Sequence, residues 1–228
     1  MSLTFNYPLT HQLANSFVSL TEAEDYFANS FDIEDWSNAS DDDKKRSLIK
    51  ATEIINNFRF HDDKLYADQA LKMPIVGHEE VTGQADSGNT TTIVDAGLID
   101  DELYIDDYWN NGAIRIIEGT NENEVRIITD FDVSTGTITF EAMPVACDST
   151  SQFVLIRELP RSFKYAVYEL ALWILQRKDK EDHDPRVQSY RIGNFSKNFF
   201  KNEGEIFLPP KVMTYLANFI SKTGRIIE

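Results

Sequence analysis

The apolar residues of this chain change period twice, and that change limits the fold more than any other feature. Up to Pro74 they recur every three or four residues; between Pro74 and Pro160 they alternate in short β-branched runs; after Pro160 the helical spacing returns. A period near 3.6 lays apolar groups along one stripe of a helix, and a period of two lays them on one face of a strand. Helices at both ends with strands between them are therefore expected.

The helical signals are local and specific. Thr21 followed by Glu24 has capping-box spacing, and Leu20 suits the staple position ahead of it, which predicts a helix through Tyr26 and Phe27. Ser40, with Asp41, Asp42 and Asp43 behind it, starts a second helix. Its face carries Leu48, Ala51, Ile55 and Phe58, and the charges at 41–46 read as a solvated start. After Pro160 the stripe Phe163, Val167, Leu170, Ala171 and Ile174 predicts the longest helix, with Trp173 beside it. Pro209 and Pro210 introduce a last one, with Val212, Leu216, Phe219 and Ile220, closing near Gly224. In the middle, strands are expected at 90–94, 113–118, 125–128, 137–140 and 153–156, separated by turns at 119–122, 132–136 and 148–151. The stretch 98–109 fits either a helical turn or a loop.

The expected class is α+β: a helical domain of about four helices, 1–76 and 159–228, interrupted by an antiparallel β-rich domain or barrel at 77–158. With 228 residues, 42% of them hydrophobic, the chain can bury a sizeable core. Its one cysteine, Cys147, has no internal disulfide partner and reads as a buried small hydrophobe in a reducing compartment. No run is long enough for a membrane span, and MSLTFNYPLT lacks the basic and apolar pattern of an export signal.

Charge is unevenly spread. The formal net charge is −16; residues 1–60 carry five basic and ten acidic side chains, residues 61–158 five and twenty, and residues 159–228 twelve and eight. An acidic field of this size opposes nonspecific adhesion to phosphate backbones. It would suit a surface past which DNA slides.

Signatures of catalysis are missing. The glycines fit neither G-x-x-x-x-G-K nor G-x-G-x-x-G, and no G-x-S-x-G elbow occurs. His11, His61, His78 and His183 lack metal-ligand spacing, and one cysteine cannot build a thiolate zinc site. The doublets Asp62–Asp63, Asp100–Asp101 and Asp106–Asp107 are what a chain with 38 acids produces freely, and 100–111 lacks the alternating order of a calcium loop. The expectation is no enzyme, no catalytic residue, no metal and no cofactor. One stretch mixes cations with aromatics: Arg186, Tyr190, Arg191, Phe195, Lys197, Phe199, Phe200 and Lys201. It has the composition of a single-strand platform, but the acidity elsewhere favours an arm whose aromatics pack on helices or on a neighbouring subunit.

Three strings carry a resemblance. The first runs from Val18 to Phe27 and on through Trp36, Lys44, Lys45, Ala51, Thr52 and Ile55. The second is Asp68-Gln69-Ala70-Leu71-Lys72-Met73-Pro74, and the third runs from Tyr190 to Ser196 ahead of a helix led by Leu-Pro. Together they resemble the head-tail connector (adaptor, head completion) family of tailed bacteriophages. Met73 replaces the family's aromatic, Ile75 its arginine, and about eighty residues resembling a small β-module of phage virion proteins follow. The resemblance implies a structural virion protein at the neck, made in the host cytoplasm. It would form a homo-oligomeric ring, commonly of twelve copies, beneath the portal protein, with tail or other neck proteins docking below. Genomic DNA would pass without sequence-specific binding, and no membrane would be involved. Portal or subunit contacts would then fall to Tyr190, Arg191, Phe195, Phe199, Phe200, Lys211, Tyr215, Phe219, Arg225 and Ile226. Such sequences are sometimes labelled DnaT-like single-stranded DNA-binding proteins, which supplies the alternative function.

Overall fold

A computed structural model describes residues 3–31, 33–100, 102–177, 189–192, 195–198 and 208–221; for 189–192 and 195–198 the backbone alone is considered. Its helices are α1 (Leu20–Ala28), α2 (Glu34–Ser37), α3 (Asp41–Asn56), α4 (Arg161–Leu175) and α5 (Pro210–Leu216). Its strands are β1 (Glu80–Gln84), β2 (Ser87–Gly88), β3 (Thr92–Val94), β4 (Ala113–Glu118), β5 (Val125–Asp132), β6 (Thr137–Phe140), β7 (Gln152–Ile156), β8 (Ser189–Ile192) and β9 (Phe195–Asn198).

Seven strands form one sheet in the order β1-β7-β4-β5-β6-β3-β2, every neighbour antiparallel. Its edges, β1 and β2, are separated in the chain only by Ala85 and Asp86. Ala85 still bonds to Ser151 on the β7 side, and Asp86 already bonds to Val94 on the β3 side. Edges that meet through two residues require the sheet to roll up on itself, and register shifts at Ile116/Glu118 and Ile128/Asp130 supply local bends. Ile93, Ile114, Ile116, Ile128, Phe131, Ile138, Phe140, Phe153 and Leu155 fill the interior, with Trp109 at one end.

The outward side chains of the same strands explain where the helices sit. Ala113, Val125, Val154 and Ile156 point away from the barrel interior and belong to a second core with Phe17, Leu48, Ile55, Phe163, Val167 and Leu170. Strands β4 and β7 are therefore buried on both faces over most of their length, with Arg115 the one charged side chain among the buried residues of β4. Helix α4 lies at the centre of this layer, and α3 and α5 both pack against it.

The expected four-helix connector domain with an inserted β-domain is not what forms. The dominant element is the seven-stranded antiparallel sheet; among the described residues only α3 and α4 exceed nine residues, and α2 and α5 have four and seven. The helices pack on one another around α4, and the outer faces of β4, β5 and β7 complete the same core, so they form a layer on the sheet and not a separate bundle.

Several local readings also shift. The capping box is Ser19 with Glu22, two residues earlier than Thr21 with Glu24: Glu22 N–H donates to Ser19 Oγ at 3.1 Å and Ser19 N–H to Glu22 Oε2 at 2.7 Å. Glu24 is occupied elsewhere, accepting from Lys44 Nζ and Trp36 Nε1. Lys44, expected in solvent, is thus buried. Helix α5 ends at Leu216 because the next residues turn back to bridge Phe60 with Ile220. Strand β1 goes unnoticed in the sequence because its exposed face carries Glu80, Thr82 and Gln84, and its inner face only Val81 and a glycine, Gly83. Stretch 98–109 is a 3-10 turn (Ala96–Leu98) followed by loop.

Candidate functional site

A groove runs along the C-terminal end of α4. Ser30, Phe31 and Ile33, from the turn between α1 and α2, form one wall; Leu172, Trp173 and Gln176 form the other; Pro209 and Lys211 close it at the start of α5. Its volume is about 580 Å³, and a shallower depression of about 960 Å³ continues from Ser30, Phe31, Ile33 and Gln176 to Glu34, Asp35, Ser37 and Asn38.

The turn that presents Phe31 is built from below. Phe27 and Trp36 stack with ring centroids 4.4 Å apart, and Lys44 lies 5.6 Å over the Trp36 ring. Ser30 closes α1 by donating through Oγ to Tyr26 O and through N–H to Phe27 O. With both ends of the turn anchored, Phe31 is 94% exposed. Leaving a phenylalanine in water forgoes roughly 1.5–3 kcal/mol of burial. Opposite it, Trp173 is half-buried, and the Arg177 guanidinium lies 3.9 Å from its ring centroid, one helical turn on.

Charge is arranged along the groove. Glu169, the acid deepest in the wall, accepts from Tyr26 Oη at 2.5 Å and from Lys211 Nζ at 2.5 Å, so its charge is matched. Burial, then the bond to Glu169, holds the Tyr26 hydroxyl far above the ordinary tyrosine range, keeping it a donor. The acids Glu34 and Asp35 lie at the far end, beyond Phe31. One end of the groove thus offers the exposed Phe31 ring and the half-buried Trp173 beside Lys211, with Arg177 laid over the Trp173 ring, and the other a carboxylate rim.

The residues expected to make portal or subunit contacts are dispersed. Tyr215 packs edge-on to Tyr165 at 5.8 Å and Phe219 to Phe163 at 5.4 Å, inside the molecule; Lys211 is tied to Glu169. The backbones of Tyr190, Arg191 and Phe195 lie on the β8–β9 hairpin, with Tyr190 opposite Lys197 and Ile192 opposite Phe195. Phe199, Phe200, Arg225 and Ile226 lie outside the described residues. Phe31 and Trp173 were missed. A lone phenylalanine in the polar turn Asn-Ser-Phe-Asp was the available signal for the first; nothing in sequence separates the second from its apolar neighbours.

A family model described as "Putative DnaT-like ssDNA binding protein" matches residues 1–94. The chain is similar to that family over this stretch. No curated protein and no solved structure matches it. The match corrects the resemblance to phage connectors, and with it the virion, neck and portal-binding reading. The physical reason lies in the strings that carried that resemblance, because their side chains are occupied inside the fold. Trp36 is buried under α1. Asp68 takes a two-pronged bond from Arg115 at 3.1 and 2.7 Å, and Arg115 stacks on Tyr66. Gln69 donates to Leu71 O and Pro74 O and accepts from Tyr66 N–H, knotting the loop ahead of the cis Met73–Pro74 peptide. Such residues specify a loop and name no partner.

The remaining candidates resolve into structure. Asp100 and Asp106 bond backbone amides, and Asp107 bonds Asn110. Among the described residues no three His, Cys, Asp or Glu side chains are placed to hold a metal, and no helix is long and apolar enough to cross a membrane. Cys147 is buried against Met143, which pushes its thiol pKa up.

Proposed function

We propose that this protein binds single-stranded DNA without converting it, and that the groove at the end of α4 holds the strand. The observation that carries the reading is the coincidence of the exposed Phe31 and the half-buried Trp173 with Arg177 and Lys211, inside a fold whose first 94 residues match a family described by single-strand binding. Bases of any sequence stack on aromatic side chains while cations follow the phosphates. A groove of about 580 Å³ between a turn and a helix end suits an unstacked strand better than a duplex.

The charge distribution explains why the site is composite. Residues 1–94 carry seven basic and sixteen acidic side chains, so the matched stretch cannot neutralise phosphate by itself. It contributes Phe31, and the cations come from α4 and α5, in the block of net charge +4. The acidic remainder keeps other surfaces free of the strand.

Titration of intrinsic tryptophan fluorescence with oligothymidine of about 20 nucleotides tests this. With Lys211 already paired to Glu169, one phosphate contact at Arg177 gives a salt slope of about −0.7, or about two- to threefold weaker binding between roughly 50 and 200 mM salt. Quenching that saturates with that slope, and is absent with duplex of the same length, is expected. Equal affinity for duplex, or no binding at low salt, refutes it.

A further inference from the structure

A carboxylate in the wall of a groove that holds phosphate needs a reason. Glu169 lies on α4 with its side chain 15% exposed, and Lys211, 57% exposed, reaches it from the start of α5. One carboxylate oxygen, Oε1, accepts both the Tyr26 hydroxyl from α1 and the Lys211 ammonium. Tyr26 packs on Tyr165 and Tyr168 at 4.7 and 5.0 Å, and Tyr215 on Tyr165 at 5.8 Å, so aromatic rings enclose the pair. A carboxylate this enclosed needs its counter-charge, and giving up Lys211 would leave it the neutral Tyr26 hydroxyl alone. It would then stand as a like charge beside an arriving phosphate. Arg177 differs: it lies over the Trp173 ring, and among the described residues no carboxylate pairs with it.

We infer that Glu169 is a positioning residue that holds Lys211 off the strand, so that recognition in the groove depends on stacked bases and on Arg177. This rests on the groove being the strand site, and adds which cation is withheld there and by what. The signature is electrostatic, because a cation engaged with a carboxylate displaces no counterion from DNA. A purely structural role, clamping α1, α4 and α5 together, would change melting and leave the salt dependence where it is.

Oligothymidine binding by the full chain between roughly 50 and 200 mM salt tests it. Glu169→Gln keeps an oxygen for the Tyr26 hydroxyl and removes the charge. Its binding should tighten at the low-salt end, and its slope should steepen from about −0.7 to about −1.4, so affinity falls about sevenfold across that range against about two- to threefold for wild type. Adding Lys211→Met to that variant should return the slope to about −0.7, which assigns the gain to this lysine. Lys211→Met alone, at an exposed position, should weaken binding by baring the carboxylate without flattening the slope. A Glu169→Gln slope equal to that of a wild type that binds overturns the inference and leaves the strand site standing. So does a wild-type slope already near about −1.4 that Lys211→Met halves, since the lysine would then reach phosphate past the carboxylate. Absence of wild-type binding at low salt overturns both.

Discussion

Replacing Gln69 by leucine should destabilise the fold without touching the binding groove. Gln69 is 2% exposed, and its amide makes three bonds: Nε2 to Leu71 O at 2.8 Å, Nε2 to Pro74 O at 2.9 Å, and Oε1 from Tyr66 N–H at 3.0 Å. Pro74 O retains the Leu65 amide at 3.0 Å, so the substitution leaves two backbone groups, Leu71 O and Tyr66 N–H, without these partners. An unsatisfied buried group costs about 1–3 kcal/mol; because both residues are half-buried, the sum is about 2–4 kcal/mol. Urea unfolding followed by circular dichroism should show the midpoint lowered by about 1 M at unchanged slope. Oligothymidine affinity per folded molecule should stay at the wild-type value. A leucine variant within about 0.5 kcal/mol of wild type would refute the loop-knot account, and one that stayed stable but lost binding would make Gln69 a contact residue.

Other perturbations follow from the buried charges and turns. The bond from Arg115 holds Asp68 down to about 2, so its contribution is present above the unfolded carboxylate range near pH 3.9 and is lost as pH falls toward 2. Asp68 is 37% exposed, so solvent screening reduces this to about 1 kcal/mol, and Asp68→Asn should flatten acid unfolding between about pH 4 and 2. Lys164 sits between Glu22 at 2.9 Å and Glu158 at 2.5 Å. Burial alone would lower its pKa, but the two carboxylates outweigh it and the net shift is upward. Its stabilisation is therefore full below the unfolded lysine value and disappears as pH rises through the higher folded one; Lys164→Met should cost about 2–4 kcal/mol at neutral pH and remove that alkaline loss, read by denaturant titration at both pH values. Gly136 has φ +64° in the β5–β6 turn, and a Cβ there would collide with the Asp95 carbonyl. Gly136→Ala should lower thermal stability by more than 1 kcal/mol, measured by melting.

What could be read in advance follows how local each determinant is. The strand at 113–118 and the cap at Ser40 depend on neighbouring residues, and both are in place. The true capping box depended on competition: Glu22 and Glu24 both had cap-compatible spacing, and the choice was made by Lys44, Trp36 and Lys164, twelve to about 140 residues away. The sheet's dominance was hidden for a similar reason, since Val154 and Ile156 look like any strand until α4 lies over them. The groove was the least legible, because Phe31 and Trp173 are far apart in sequence and meet only when α1, α4 and α5 are packed.

If Phe31 and Trp173 stack on the bases of a single strand, removing both rings must weaken binding. Fluorescence anisotropy of labelled oligothymidine should compare wild type with the double variant Phe31→Ala with Trp173→Ala. Each lost stacking contact is worth about 1–3 kcal/mol, so binding should weaken by roughly fivefold to a hundredfold per residue. Affinity equal to wild type in a variant that melts normally would contradict the claim.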